Sequence, residues 1–395
     1  MTEAFMPLMR NGLDPVAGLA ERQRDQPVSK LEFPFGITAW LVTGYADVQA
    51  VIGDTQRFSN DFSNVVANAG GQATAAQDPG GLGFSDPPNH TRLRRALTPE
   101  FTMRRLSRLV PRIEQIVQQQ LDVMAASGSP VDLVDTFAMP IPSLVICELL
   151  DVPYPDRADF QRLSGSRFDI FGGAGTGLEA ISESLAFMAE LVAAQRKQPG
   201  DGLLGMLIRD HGDQIDDREL AGLADGLLIG GHETTASMLA LGAILLLNHP
   251  EAADALRADD EAAGPAVEEM LRYLTVVQVA FPRFAKADLE LGGQQIKAGE
   301  MVLCSLSGAN RDPALGPDMQ GFDPTRISPH LAFGYGAHRC VGAELAKMEL
   351  RIAYPALLRR FPDLGLAQPM DEISFHEYSV VHGVDTLPVQ WTAGS

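Results

Sequence analysis

The chain has 395 residues, 45% hydrophobic and 21% charged, a balance that fits a soluble globular protein with an ample core and excludes a disordered one. Its 51 acidic and 31 basic side chains leave a formal charge of −20, an unfavourable field for a nucleic-acid partner. Length alone does not settle the domain count, but no internal repeat and no Pro- or Ser-rich linker divides the chain, so one domain over residues 1–395 is expected.

In chain order, the N-terminus MTEAFMPLMRNGLDP lacks the charged head, apolar run and small-residue cleavage site of a secretory signal, which makes the cytoplasm the expected compartment. AWLVTGY, from Ala39, reads as a strand. Residues 64–83, rich in Gly, Ala and Gln, read as a mobile loop. A helical period runs through 106–126, LSRLVPRIEQIVQQQLDVMAA, and the glycine cluster FGGAGTG at 171–177 separates two further helical patterns. Residues 217–248 form the longest candidate helix, roughly 48 Å at about 1.5 Å per residue, ending before Pro250. From Gly226 to Asn248 its only ionisable side chains are His232 and Glu233, so it should be buried nearly all round. A membrane span is the competing reading, but a mid-span Glu costs about 2.5–3.5 kcal/mol on insertion and no basic cluster flanks it, so none is expected. Gly230 and Gly231 each cost a helix interior about 1 kcal/mol relative to Ala. Either something approaches the backbone there, or the pair serves packing beside a neutral, satisfied Glu. DLELGG and QIKAGEMVLCSL, joined through Gly292 and Gly293, read with AWLVTGY as short antiparallel strands, and AELAKMELRIAYPALL at 343–358 reads as a final helix. The fold class is mainly α with small β-sheets.

The three cysteines are odd in number and lack CxxC spacing, which argues against a disulfide framework and a Cys-based zinc site. Cys147 in SLVICELL and Cys304 in MVLCSLS read as small buried thiols. Cys340 ends the Gly-rich loop FGYGAHRC directly before a helix, whose N-terminal dipole favours a thiolate. Gly334, Gly336 and Gly342 allow the loop to fold back and aim backbone N–H groups at the sulfur. Ligand and nucleophile both remain open for it, although His338, two residues away, does not by itself supply a base. Glu269 and Arg272 lie at i and i+3 and can pair, which alone usually marks a solvated helix face. Arg326 stands in FDPTR, a short distance upstream of the Cys loop.

Together these segments resemble a known family. FGYGAHRCVG matches the haem-binding signature FGxGxHxCxG of the cytochrome P450 superfamily, GGHETT is similar to its oxygen-activation segment, and Glu269-x-x-Arg272 followed by FDPTR is similar to its structural triad. Their order and spacing agree, and LELGGQQIKAGE resembles the soluble bacterial members, so the resemblance spans residues 10 to 390. It implies the P450 fold, with haem b (iron protoporphyrin IX) buried between the long central helix and the helix following the Cys loop. It implies that Cys340 is the proximal thiolate ligand, whose electron donation favours O–O cleavage, with Phe333 shielding the sulfur and Gly342 in the same cofactor-binding loop. His338, His90, Arg94 and Arg283 would meet the two propionates, which need compensation when buried. Glu233 and Thr234 would deliver protons to dioxygen, Gly230 and Gly231 would leave the groove in which it sits, and His232 would be structural. Glu269, Arg272 and Arg326 would form a buried network fixing the Cys loop, and breaking it would cost haem incorporation.

The implied activity is that of a monooxygenase inserting one oxygen atom of O2 into a lipophilic small molecule, by hydroxylation or epoxidation, with the other atom leaving as water. Oxidative coupling or peroxide-driven oxidation is the alternative, and a haem-based binding or sensor protein, which needs no proton relay, is a more distant one. No fused reductase, flavin or iron–sulfur cluster is expected, so electrons would come from a ferredoxin and ferredoxin reductase. Arg92, Arg94, Arg95, Arg104, Arg105, Arg108 and Arg112, against the single acid Glu100 within residues 92–112, would steer an acidic ferredoxin to the Cys340 side. Several of these arginines have a competing structural reading, in caps or at propionates. The expected pocket residues are Phe168, Phe171, Leu227, Val276, Val277, Val279 and Val381, all apolar.

Overall fold

The computed structural model describes residues 3–33, 36–61, 63–64, 67, 81–153, 157 and 174–392. Its axis is the 31-residue helix Asp217–Leu247. Its start is fixed by a reciprocal cap: Asp216 Oδ1 accepts the Glu219 N–H at 2.8 Å and Glu219 Oε2 accepts the Asp216 N–H at 3.2 Å. The helix runs without a break through Gly230 and Gly231. From Leu239 to Leu246 every side chain is buried, as the near absence of charge anticipates. It packs on the helices Ala174–Lys197, Pro140–Leu150 and Ala343–Arg360.

The crossing with Ala343–Arg360 is unusually close. A Cβ added to Gly242 would lie 1.9 Å from the Tyr354 hydroxyl, and that hydroxyl donates to the Met238 carbonyl. Only a residue without a side chain fits there. Ala343–Arg360 also rests on Val110–Ser127 and Ala263–Leu274. Ile116, Leu121, Ile244, Leu350 and Tyr354 are fully buried in this layer; an aliphatic side chain removed from water contributes roughly 1.5–3 kcal/mol.

The glycine cluster at 171–177 does not separate helices at the expected place. Ala174–Gly177 already belong to the helix Ala174–Lys197, stabilised by its packing on the central helix rather than by local propensity. Residues 171–173, the positions Phe168 and Phe171, and most of the loop expected over 64–83 lie outside the described residues.

Five strands form the main sheet in the order Val28–Glu32, Thr38–Val42, Met301–Cys304, Arg283–Ala285, Phe58–Ser59. Met301–Cys304 pairs in parallel with Thr38–Val42, from Met301 opposite Ala39 to Cys304 opposite Val42, and antiparallel with Arg283–Ala285. The expectation of purely antiparallel pairing is therefore corrected. QIKAGEMVLCSL divides after Ile296: Gln294–Ile296 closes a hairpin on Leu289–Leu291, turned by Gly292 and Gly293 at φ +54° and +76°, and the remainder crosses to the main sheet. Alternation of side chains fixes which face of a strand is buried, not its partner. Cys304 and Cys147 are buried, and burial pushes both thiols up to about 12, which makes them packing residues. Among the described residues no helix is long and apolar enough to cross a membrane.

Candidate active site

The Cys loop is shaped by its glycines and closed by its own backbone. Gly334 and Gly336 have φ of +68° and +72°, and a Cβ on Gly336 would come within 2.8 Å of the Gly53 Cα, so the loop seats on the end of the helix Tyr45–Gly53. The Cys340 N–H donates to the Phe333 carbonyl at 2.8 Å. The helix Ala343–Arg360 starts three residues later with Gly342 at its cap, and the N–H groups of Gly342 and Ala343 serve the sulfur. Burial nevertheless pushes the Cys340 thiol up, against those two donors and the cations Arg94 and Arg339. The helix terminus and these cations favour the thiolate while burial opposes it, and a metal cation on the sulfur would add to the first side.

Beside the loop stand four cationic or potentially cationic groups, His90, His338, Arg94 and Arg283, with the Asp86 carboxylate acting on all but Arg94. The rings of His90 and His338 lie 4.1 Å apart. Both nitrogens of His90 and Nε2 of His338 are buried without a hydrogen-bond partner among the described residues. Burial, then His90 and Arg283, pushes His338 down to about 3. Burial also lowers His90, Arg94 and Arg283. Among the described residues Arg283 donates through Nη1, to Asn60 Oδ1 and, at 2.8 Å, to the Phe281 carbonyl. Orphaned donors of this kind are rare in native proteins. They fit a ligand bearing two carboxylates, while the sulfur fits its metal, and haem has both features.

A cavity of about 650 Å³ is shared by Cys340, Phe333, His338, Gly342 and Arg283 with the central helix, a volume in the usual range for small-molecule sites. The central helix contributes Leu227, Gly230, Gly231 and Thr234. The two glycines differ in their surroundings. A Cβ on Gly230 would meet nothing within 4 Å, whereas one on Gly231 would lie 2.9 Å from Ile146 Cδ1. The open groove therefore lies at Gly230, and Gly231 also seats the helix against Pro140–Leu150. The Thr234 hydroxyl donates to the Gly230 carbonyl at 2.6 Å. Glu233 is half-buried and does not line the cavity. His232, 2% exposed, holds the Met139 carbonyl at 3.0 Å from Nε2, a contact between helices.

Val276, Val277, Val279 and Val381 also line the cavity. The strand-like stretch carrying the first three bridges to the chain end: Val277 pairs with Val381, and Gln278 N–H donates to the Val380 carbonyl at 2.9 Å. Sequence reasoning missed the N-terminal lining by Phe5 and Leu8, and the contact of Phe84 with Phe281, whose rings lie 4.7 Å apart. It also missed Glu349, which lines the cavity from the Cys-loop helix, is 3% exposed and, among the described residues, makes no hydrogen bond through its buried Oε2. Burial pushes its carboxyl up to about 8.

Glu269, Arg272 and Arg326 meet behind the loop. Arg272, fully buried, holds Glu269 through two bonds of 2.7 Å and donates to the carbonyls of Asn310, Met319 and Gly321. Glu269 Oε1 also accepts from Arg326 Nε at 3.2 Å and from the Asp323 N–H at 3.0 Å. Such complete satisfaction is what a buried ion pair requires. The neighbouring Glu268, not singled out from the sequence, faces the Cys loop instead and binds His330, Lys347 and Arg351. On the basic stretch, Arg92 pairs with Glu219, Arg105 and Arg108 share Glu100, and Arg112 pairs with Glu148. Arg95 and Arg104 are exposed without an ion pair among the described residues.

The family description Cytochrome P450 matches residues 178–375. "Cytochrome P450 FAS1" of Rhodococcoides fascians is 42% identical, covering 98% of both chains. "Mycinamicin IV hydroxylase/epoxidase" of Micromonospora griseorubida is 40% identical over 96% of both. Among solved structures, OxyC, titled a cytochrome P450 implicated in an oxidative C–C coupling reaction during vancomycin biosynthesis, superposes with a TM-score of 0.87 at 37% identity, covering 97% of this chain and 96% of that one.

Proposed function

This chain belongs to the cytochrome P450 family and is a monooxygenase, and from that premise we propose that it hydroxylates or epoxidises a lipophilic small molecule. The reading is carried by one observation: Cys340 and the central-helix residues Gly230, Gly231 and Thr234 line a common, mainly apolar cavity. The family's cofactor is haem, whose iron activates dioxygen when supplied with electrons. Cys340 Sγ would hold that iron, and the N–H groups of Gly342 and Ala343 would moderate the sulfur's charge. Arg94, Arg283, His90 and His338 would bind the two propionates, which would give the orphaned nitrogens of His90 and His338 partners. Gly230 leaves room beside the backbone for a diatomic molecule. With its proton engaged by the Gly230 carbonyl, Thr234 Oγ1 would accept from water in that groove, and Glu233 would pass protons toward it. The apolar lining from Leu227, Val276, Val279 and Val381 would exclude bulk water and bind substrate.

Electrons come from a redox partner, which we take to be a ferredoxin with its reductase. The unpaired Arg104 and Arg95 are the charges freest to meet its acidic surface. The stoichiometry closes with substrate, O2, two electrons and two protons giving oxygenated product and water. Oxidative coupling is the second reading, favoured by the OxyC likeness. The test begins with a screen for compounds that move ferric haem from low to high spin. Turnover of a hit with ferredoxin, reductase and isotopically labelled dioxygen should place one labelled atom in the product. A coupled product without label would favour the second reading. Turnover with hydrogen peroxide but none with dioxygen and electrons would sink the proposal of O2-dependent hydroxylation or epoxidation.

A further inference from the structure

Phe333 is flanked by two side chains that share one carboxylate. Lys347, on the Cys-loop helix and 9% exposed, places Nζ 5.5 Å from the centre of the Phe333 ring, within the range of a cation–π contact. His330 lies on another side, its ring centre 6.3 Å away. Glu268 Oε1 holds Lys347 Nζ at 2.8 Å and Arg351 Nη2 at 3.1 Å, while Oε2 lies 3.1 Å from His330 Nε2. His330 Nδ1 accepts the Ala332 N–H at 3.3 Å, so its Nε2 carries the proton and donates to Glu268. Burial raises the Glu268 carboxyl, but His330 and Lys347 outweigh it and bring it down to about 2, so the carboxylate is charged throughout the working range. The Phe333 carbonyl in turn accepts the Cys340 N–H, and Phe333 lines the cavity beside that cysteine.

We propose that Glu268 and Lys347 form an ion-pair clamp that positions Phe333 against Cys340 and tunes the electrostatic field at its sulfur. Glu268 sits beside Glu269 in sequence, yet the two carboxylates serve different targets. Glu269 ties down the segment ahead of the loop, and Glu268 governs the surroundings of the ligand itself. Both members of the clamp are positioning residues, and the proposal rests on Cys340 being the thiolate ligand. Removing the negative charge leaves the Lys347 ammonium facing the more distant Glu344 Oε1, at 3.9 Å, and makes the surroundings of Phe333 more positive, which favours the ferrous over the ferric state. Removing the ammonium does the reverse.

The experiment is potentiometric titration of the haem-loaded parent, Glu268→Gln, Lys347→Met, the double variant and Lys347→Arg, each with its reduced carbon monoxide spectrum and unfolding midpoint. Glu268→Gln should move the potential to more positive values and Lys347→Met to more negative ones. The double variant should return toward the parent, and Lys347→Arg should stay near it. A purely structural role would lower unfolding midpoints without opposite shifts. Potentials that do not move, or that move the same way in both single variants, overturn the clamp while the parent keeps its thiolate-type carbon monoxide band. A parent lacking that band overturns the ligand assignment and the clamp together. If Lys347→Met does not take up haem, Lys347→Gln removes the same charge and decides the point.

Discussion

The cavity has two kinds of wall. One is built from a single run, Phe333 to Glu349, in which a loop feeds directly into the helix Ala343–Arg360. The other is assembled from segments far apart in the chain: Phe5 and Leu8, Phe84, the middle of the central helix, the 276–283 stretch, and Val380 with Val381. A ligand sulfur needs its donors and turn residues within a few positions, because backbone N–H groups and the left-handed glycines act locally. A shape-fitting surface carries no such restriction; any residue that tertiary packing brings near will serve. The first wall is therefore a motif and the second is not.

The contrast can be broken first at the sulfur. Cys340→Ser should abolish the thiolate-type carbon monoxide band and turnover, whereas Cys147→Ala, buried in packing alone, should keep the band and lose only stability. An unchanged band in Cys340→Ser would place the ligand elsewhere. A second, smaller effect sharpens it at Glu349. Its folded value, raised from 4.5 to about 8, means that the native state holds a proton the unfolded chain releases. That stabilisation is complete below about pH 4.5 and is lost as pH rises through about 8, on the order of 5 kcal/mol at full extent. Glu349→Gln should therefore gain stability relative to the parent between pH 5 and pH 8, read from unfolding midpoints. Curves that stay parallel would mean that the carboxyl finds a partner.

The smallest effect lies on the distributed wall. Gly230→Ala should raise stability by up to about 1 kcal/mol, since a methyl there meets nothing and helix propensity improves, while narrowing the groove and slowing oxygen-dependent turnover. Gly231→Ala must displace Ile146 Cδ1, so its propensity gain is offset, and denaturant midpoints of the two variants should separate in that order. Equal gains in both would show that the pair shares one role.

How much was legible follows from the same physics. The central helix was readable almost to its ends because charge is nearly absent from Gly226 onward and Asp216 and Glu219 cap its start. The Cys loop and the Glu269–Arg272 pair were readable because their spacing is short. The parallel pairing of Met301–Cys304 with Thr38–Val42 was not, since alternation says nothing about a partner so distant in the chain. Glu268 escaped notice because a glutamate on an amphipathic helix looks like any solvated charge; only the fold brings His330 and Lys347 to it. Phe5 and Leu8 carry no local mark of their place in the cavity.

The contact of Gly242 with the Tyr354 phenol fixes how near the two principal helices can come. That stop is a main-chain position meeting a buried ring, so a side chain at 242 cannot be accommodated without parting two helices that both line the cavity. Substitutions meant to admit a bulkier guest belong at lining positions away from this crossing, such as Phe5, Leu8 or Val381.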